Sequence, residues 1–180
     1  MTEPKHLLAG CGRSRNKKLR IGDETEEWVG QLVTLDIDPA HKPDVVHDLN
    51  CRPLPFDDNT FDTIRAFEVL EHLGRQGDWR AFFAEWSEWW RILKPGGIIA
   101  GTSPHWSSAW AWLDPGHTRA MGPEMLAFLV QPEYVRQVGV TSMTDYRSVY
   151  AADFDVAHSE VKRGSFIFAL RAVKPSRIAQ

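Results

Sequence analysis

The chain has 180 residues, with 21 Lys and Arg against 24 Asp and Glu, 43% hydrophobic and 25% charged. That length supports one compact domain with a real core, and the formal charge of −3 gives no global pull toward nucleic acid or an anionic membrane. Two cysteines, Cys11 and Cys51, make neither a disulfide framework nor a zinc-binding pair, so free thiols and no metal set are expected. Residues 1–6 carry no apolar leader, and no run approaches the roughly 18–20 apolar residues of a membrane span. A cytoplasmic protein of one domain, residues 1–180, is therefore expected.

The chain alternates strand-like and helix-like segments. His6–Ala9, Gln31–Leu35, Asp44–His47, Phe61–Val69 and Gly97–Thr102 are short apolar runs closed by Gly, Asp or polar residues, as in a parallel sheet buried on both faces. Residues 14–29 carry charges and Gly22 without apolar periodicity, so no long first helix is expected there. Asp78 is placed to cap a helix in which Phe82, Phe83, Trp86, Trp89, Trp90 and Leu93 recur at helical spacing, a stripe read as core. Arg91 and Lys94 suit its negative end, and Pro95-Gly96-Gly97 stops it. Met121–Val130 reads as a further helix, and Asp153–Glu160 with Phe166–Val173 as a final strand pair. This pattern predicts an α/β, Rossmann-like doubly wound sheet, mostly parallel with an antiparallel last strand. Its ligand cleft lies beyond the carboxyl ends of the strands, among the loops after Ala9, Leu35, His47, Val69 and Thr102.

Those loops carry the motifs. Gly10 and Gly12 follow the first strand within LLAGCGRS, where glycines let a ligand approach the backbone. The third glycine of a dinucleotide fingerprint is absent, since position 15 is Arg15, which disfavours a pyrophosphate cofactor. Asp36, at the tip of the second strand in VTLDIDP, is placed to accept from ribose hydroxyls, with Asp38 a second candidate. Asp48 and Leu49 follow the third strand, FEVLEHL (67–73) the fourth, and RILKPGG (91–97) precedes the fifth.

In this order and spacing the segments resemble the class I S-adenosylmethionine-dependent methyltransferases, in particular the small family that reads GCG, an aspartate at the second strand, LPF-x-D-x-x-FD, EHL and LKPGG. The likeness runs from about Leu7 to Leu129. It implies S-adenosylmethionine as cofactor, with Gly10, Cys11 and Gly12 near the methionine portion. It also implies that Asp36 and Ile37 hold the ribose side, Asp48 and Leu49 hold the adenine, and Glu68 to His72 form the floor beneath the sulfonium. The chain departs from the family at Leu8, where an acid is usual, at Ser14, where a third glycine is usual, and in the long interval from Gly12 to Asp36. These departures bear on the cofactor's amino-acid end.

The acceptor is not legible. Residues 103–150 form the variable acceptor or lid region, where Trp106, Trp110 and Trp112 would wall a pocket for a flat or apolar acceptor or pack as a lid over the cleft. If the acceptor must lose a proton, His72, His105 and His117 are the candidate bases, although a structural or merely exposed histidine is the plainer reading of each. The basic run from Arg13 to Arg20 reads as a solvated face. The motifs of DNA-base methyltransferases are missing, which disfavours DNA. A small-molecule acceptor is preferred, RNA and protein stay open, and the oligomeric state is not given. The competing reading is a non-catalytic module that binds the cofactor.

Overall fold

The computed structural model describes residues 3–18, 20–21, 24–25 and 29–177. Seven strands form one sheet: β1 (Lys5–Ala9), β4 (Gln31–Asp36), β5 (Val45–Val46), β6 (Phe61–Phe67), β7 (Leu93–Pro104), β8 (Phe154–Lys162) and β9 (Ser165–Ala172). Their spatial order is β5-β4-β1-β6-β7-β9-β8. The first five run parallel, and β9 pairs antiparallel to both β7 and β8. The chain order reverses between β1 and β6, which puts the switch point of the sheet at the ends of these two strands.

The crossover between β1 and β4 holds no helix among its described residues. It contains instead a two-stranded ribbon of β2 (Arg20–Ile21) and β3 (Glu24–Thr25). The doubled winding is correspondingly uneven. On one face a single cluster takes Leu7, Ala9, Ile64, Ala66 and Ile99 from the strands and Phe83, Trp86, Trp89 and Ile92 from a helix. On the other face Leu8, Cys11, Phe67, Ala100 and Ala169 make a small cluster to which no described helix contributes. Leu8 thus serves packing on this second face. Alternate residues of a strand point to opposite faces, which is why Leu7 and Leu8 fall in different clusters.

The helix of the main face is α1 (Trp79–Ile92). The Asp78 side chain accepts from the Ala81 N–H at 3.0 Å, the expected N-cap. The helix ends at Ile92, and β7 starts at once with Leu93 opposite Phe61. Pro95-Gly96-Gly97 therefore falls inside the start of the strand, at a register shift after which Ile98 faces Thr63. Lys174 closes the helix by donating to the carbonyls of Arg91 at 3.1 Å and Leu93 at 2.6 Å.

The expected helix over Met121–Val130 is a 3-10 segment, Pro123–Leu129, followed by α3 (Gln131–Gln137). Pro132 explains the break: it lacks an N–H and its ring opposes the carbonyl four residues back, so it opens a new helix. A short α2 (Trp110–Leu113) lies between β7 and this segment. Among the described residues no helix is long and apolar enough to cross a membrane.

Candidate active site

The first loop is shaped by two left-handed glycines, Gly10 at φ +61° and Gly12 at φ +55°. A Cβ on Gly10 would lie 2.5 Å from Val69 Cγ2, so the loop packs directly on the second residue after β6. Among the described residues a Cβ on Gly12 would meet only Lys17 Nζ, at 3.8 Å, so none of them closes over the loop at this point. The Gly12 N–H donates to Asp36 Oδ2 at 2.7 Å. Lys17 Nζ donates to the Gly10 carbonyl at 3.3 Å, and Arg15 donates to the carbonyls of His41 and Lys42. Part of the basic run read as a solvated face therefore ties the loop down.

Cys11 is fully buried, donates its N–H to the Leu35 carbonyl at 3.1 Å and its thiol to the Gly12 carbonyl, and belongs to the second-face cluster. Burial, then the Asp36 charge, pushes its thiol pKa up.

Asp36 is 6% exposed. Besides Gly12 it accepts at Oδ1 from the Asp38 N–H (2.9 Å) and from His41 Nδ1 (3.1 Å). Burial raises its pKa, but the backbone bonds from Asp38 and Gly12 and the bond and charge of His41 outweigh it and hold the carboxyl below its ordinary value. A carboxylate offers about four lone-pair sites, and three are taken here. One site is left open on the carboxylate, and one of the three taken is held by His41, a residue that the sequence did not single out.

Ile37 is 63% exposed beside Asp36, an apolar side chain held out at the cleft. Asp48 accepts at Oδ1 from the Asn50 N–H and side-chain amide, so it forms a local turn. Leu49 is in the main core cluster. Glu68 sits at φ +53°, a strained conformation for a residue with a Cβ, and accepts from Thr102 Oγ1 at 2.6 Å across β6 and β7. The cradle at Gly12, the pinned Asp36 and the exposed Ile37 fit S-adenosylmethionine.

The floor comes from a 3-10 turn, Leu70–His72, directly after β6. A strap over residues 114–120 is laced to it: Thr118 N–H and Arg119 N–H donate to the Glu71 carbonyl, Arg119 Nε to the Leu70 carbonyl and Gln76 N–H to the Thr118 carbonyl. This lacing brings His117 onto the turn. His117 Nε2 lies 3.9 Å from Glu71 Oε1, and the His72 and His117 rings meet edge-on with centroids 4.7 Å apart. The Glu71 side chain is 2% exposed and that of His117 is 5% exposed. Both Glu71 oxygens and His117 Nδ1 lack a hydrogen-bond partner among the described residues. Leaving such a buried group unpaired costs about 1–3 kcal/mol, a cost that marks functional sites. Burial, chiefly, and then the nearby Glu68 charge push the Glu71 carboxyl up to about 7, against the pull of its own backbone amide dipole, His117 and Arg119.

His105 stands apart from this pair. It is 7% exposed, and its Nδ1 is engaged by the Ser107 hydroxyl at 2.7 Å. Trp106, Trp110 and Trp112 are 47%, 63% and 64% exposed, so they form an open apolar ledge after β7. A separate cavity of about 280 Å³ lies between the start of α1 and the strap, lined by Trp79, Phe82, Phe83, Met125, Phe128 and Tyr146 among others.

A family model described as a methyltransferase domain matches residues 7–101. The chain belongs to the class I S-adenosylmethionine-dependent methyltransferases. This methyltransferase is 30% identical over 138 residues to a protein of Mycolicibacterium smegmatis described as a probable S-adenosylmethionine-dependent methyltransferase. The match takes 69% of this chain and 49% of the relative, so the chain spans about half the length of that relative. Solved structures agree in fold. Phosphoethanolamine N-methyltransferase 1 of Haemonchus contortus, solved with phosphoethanolamine and S-adenosylhomocysteine, aligns with a TM-score of 0.61 at 14% identity, covering 100% of this chain and 41% of that one. A methyltransferase in complex with the Haloferax volcanii Trm112 methyltransferase activator aligns with a TM-score of 0.56 at 16% identity, covering 96% and 84%. An S-adenosylmethionine-dependent methyltransferase of Mesorhizobium loti aligns with a TM-score of 0.53 at 14% identity, covering 94% and 91%.

Proposed function

We propose that this chain transfers a methyl group from S-adenosylmethionine to a small-molecule acceptor held by the variable region over residues 103–150. The observation that carries the reading is the Gly12–Asp36 junction, in which the cofactor loop and the ribose-side acid are locked together before any ligand arrives. When bound, S-adenosylmethionine supplies a methyl carbon that is already electrophilic, so the chain's own part is alignment and exclusion of water. Alignment is worth about 7–11 kcal/mol of barrier when the reacting atoms are held in line. In this reading Gly10 and Gly12 admit the methionine portion, Asp36 and Ile37 hold the ribose side, and Asp48 with Leu49 border the adenine. Glu68 backs the floor from β6. The cavity beside Trp79, Phe82 and Tyr146 has the volume of a small acceptor and an apolar lining, which favours a small molecule over a polymer. Of the candidate bases, His117 and His72 lie together at the floor while His105 is tied to Ser107, so the first two carry any proton transfer. We further place the protein in the cytoplasm, and RNA or protein acceptors follow in preference.

The test is methyl transfer from radiolabelled S-adenosylmethionine across a panel of phenols, hydroxyacids and amines, with RNA and bulk protein alongside. Turnover on one small-molecule class supports the reading. Labelling of RNA or protein alone overturns the small-molecule part. The second reading, a non-catalytic cofactor-binding module, draws on the helix-free β1–β4 crossover and the occupied Asp36. Methyl transfer to any acceptor eliminates it.

A further inference from the structure

The Glu71, His72 and His117 side chains offer three ligand atoms that all lie within 4.8 Å of one another. From these we infer that the methyltransferase binds a divalent metal ion of the zinc class at this floor. Two imidazoles and one carboxylate are the donor set of zinc sites that keep an open position. A tetrahedral ion with ligands about 2.0–2.2 Å away needs donors roughly 3.4 Å apart. The 3.9 Å between His117 Nε2 and Glu71 Oε1 is close to that, so small side-chain movements complete the cage.

Hydrogen bonding around the cluster points the same way. His72 Nδ1 lies 2.9 Å from the Gly116 carbonyl, which only accepts, so the proton sits on Nδ1 and Nε2 keeps its lone pair. A ligating histidine is fixed by such a carbonyl. Both Glu71 oxygens are buried without a hydrogen-bond partner among the described residues, and Arg119, the adjacent cation, is already spent on the Leu70 carbonyl and on Glu85. Asp114 Oδ2, 3.8 Å from His117 Nε2, adds negative charge at the rim. His72 is exposed while Glu71 is buried, so the site is closed around the carboxylate and open to solvent at His72. With both imidazoles ligated, the ion would replace the His72 and His117 base role, presenting its vacant position to an acceptor oxygen and lowering that oxygen's pKa. That role rests on the methyl-transfer reading, whereas the metal binding does not.

The test uses the full chain, stripped with a chelator and dialysed, then titrated with zinc chloride by calorimetry and with cobalt chloride by visible absorption. One zinc per chain is expected, with cobalt ligand-field bands of a four- or five-coordinate nitrogen–oxygen site. Glu71→Gln, His72→Ala and His117→Ala should each weaken zinc at least about 100-fold, since even changes in the residues that orient ligands cost 10–100-fold. His72 is exposed, so its variant reports even where Glu71→Gln fails to fold. Failure to bind zinc stoichiometrically, or equal binding by all three variants, overturns the inference. S-Adenosylhomocysteine titrated into the same stripped sample keeps the two claims apart: its binding without zinc binding sinks only the metal site.

Discussion

The Gly12 N–H donates to Asp36 Oδ2 at 2.7 Å, so the loop after β1 and the tip of β4 form one unit across 24 residues of chain. The same carboxylate gathers the Asp38 N–H and His41. Local structure thus depends on one side chain, and in the proposed reading cofactor affinity does as well.

Asp36→Ala strands the Gly12 and Asp38 donors and frees His41. A loss of about 1–3 kcal/mol in urea unfolding is expected, together with a loss of S-adenosylhomocysteine affinity of at least tenfold, or about 1.4 kcal/mol. Equal affinity in a destabilised variant would remove Asp36 from the cofactor site.

The same residue sets an acid dependence. Its folded pKa lies below its unfolded value near about 3.9, so the stability it contributes is full above that value and is lost as pH falls through the folded pKa. The difference in Tm between wild type and Asp36→Asn should therefore be largest above about pH 5 and shrink through the acid range. A difference that stays constant down to acid unfolding contradicts this.

Gly10→Ala should be poorly tolerated. The left-handed backbone costs a residue with a Cβ about 1–2 kcal/mol, and the new atom collides with Val69 Cγ2. Val69→Ala in the same chain removes the 2.5 Å contact but keeps Val69 Cβ at 2.9 Å and the backbone cost, so denaturant unfolding should show only partial recovery in the double variant.

The seven strands were legible because their apolar runs are short and end in loop residues. Only their ends moved, with the expected Asp44–His47 shrinking to Val45–Val46 at the sheet edge. The stripe of α1 was legible in the main: Phe83, Trp86 and Trp89 are buried and Phe82 and Trp90 half-buried against the core, whereas Leu93 is buried as the first residue of β7 and Ile92, also buried, was not in the stripe. What the sequence hid were acids inside the core. Glu71, Glu85 and Glu88 are buried, and Glu85 meets its partner Arg119 across 34 residues, a separation that no local spacing reveals. His117 was legible only as one histidine of three, because the strap that carries it to Glu71 is held by backbone bonds.

Glu85 gives a further test. It is 1% exposed, pairs with Arg119 at 2.8 Å and accepts from Trp89 Nε1 at 3.3 Å. Arg119→Met leaves this carboxylate in the core with the Trp89 indole as donor and Arg52, 3.6 Å away, as its one remaining cation among the described residues, and should cost about 3–5 kcal/mol. Adding Glu85→Leu should restore most of that stability, since replacing a buried pair by apolar residues is often neutral. A double variant as unstable as the single one would place the cost in lost packing at the strap.

The central claim is the cofactor, and calorimetric titration of the folded protein with S-adenosylmethionine and S-adenosylhomocysteine tests it most directly, with NADH as control. Micromolar binding of both sulfur ligands, at least tenfold weaker in Asp36→Ala, with no NADH binding, is the predicted result. A folded wild-type sample that binds neither sulfur ligand, or that prefers NADH, would contradict the account.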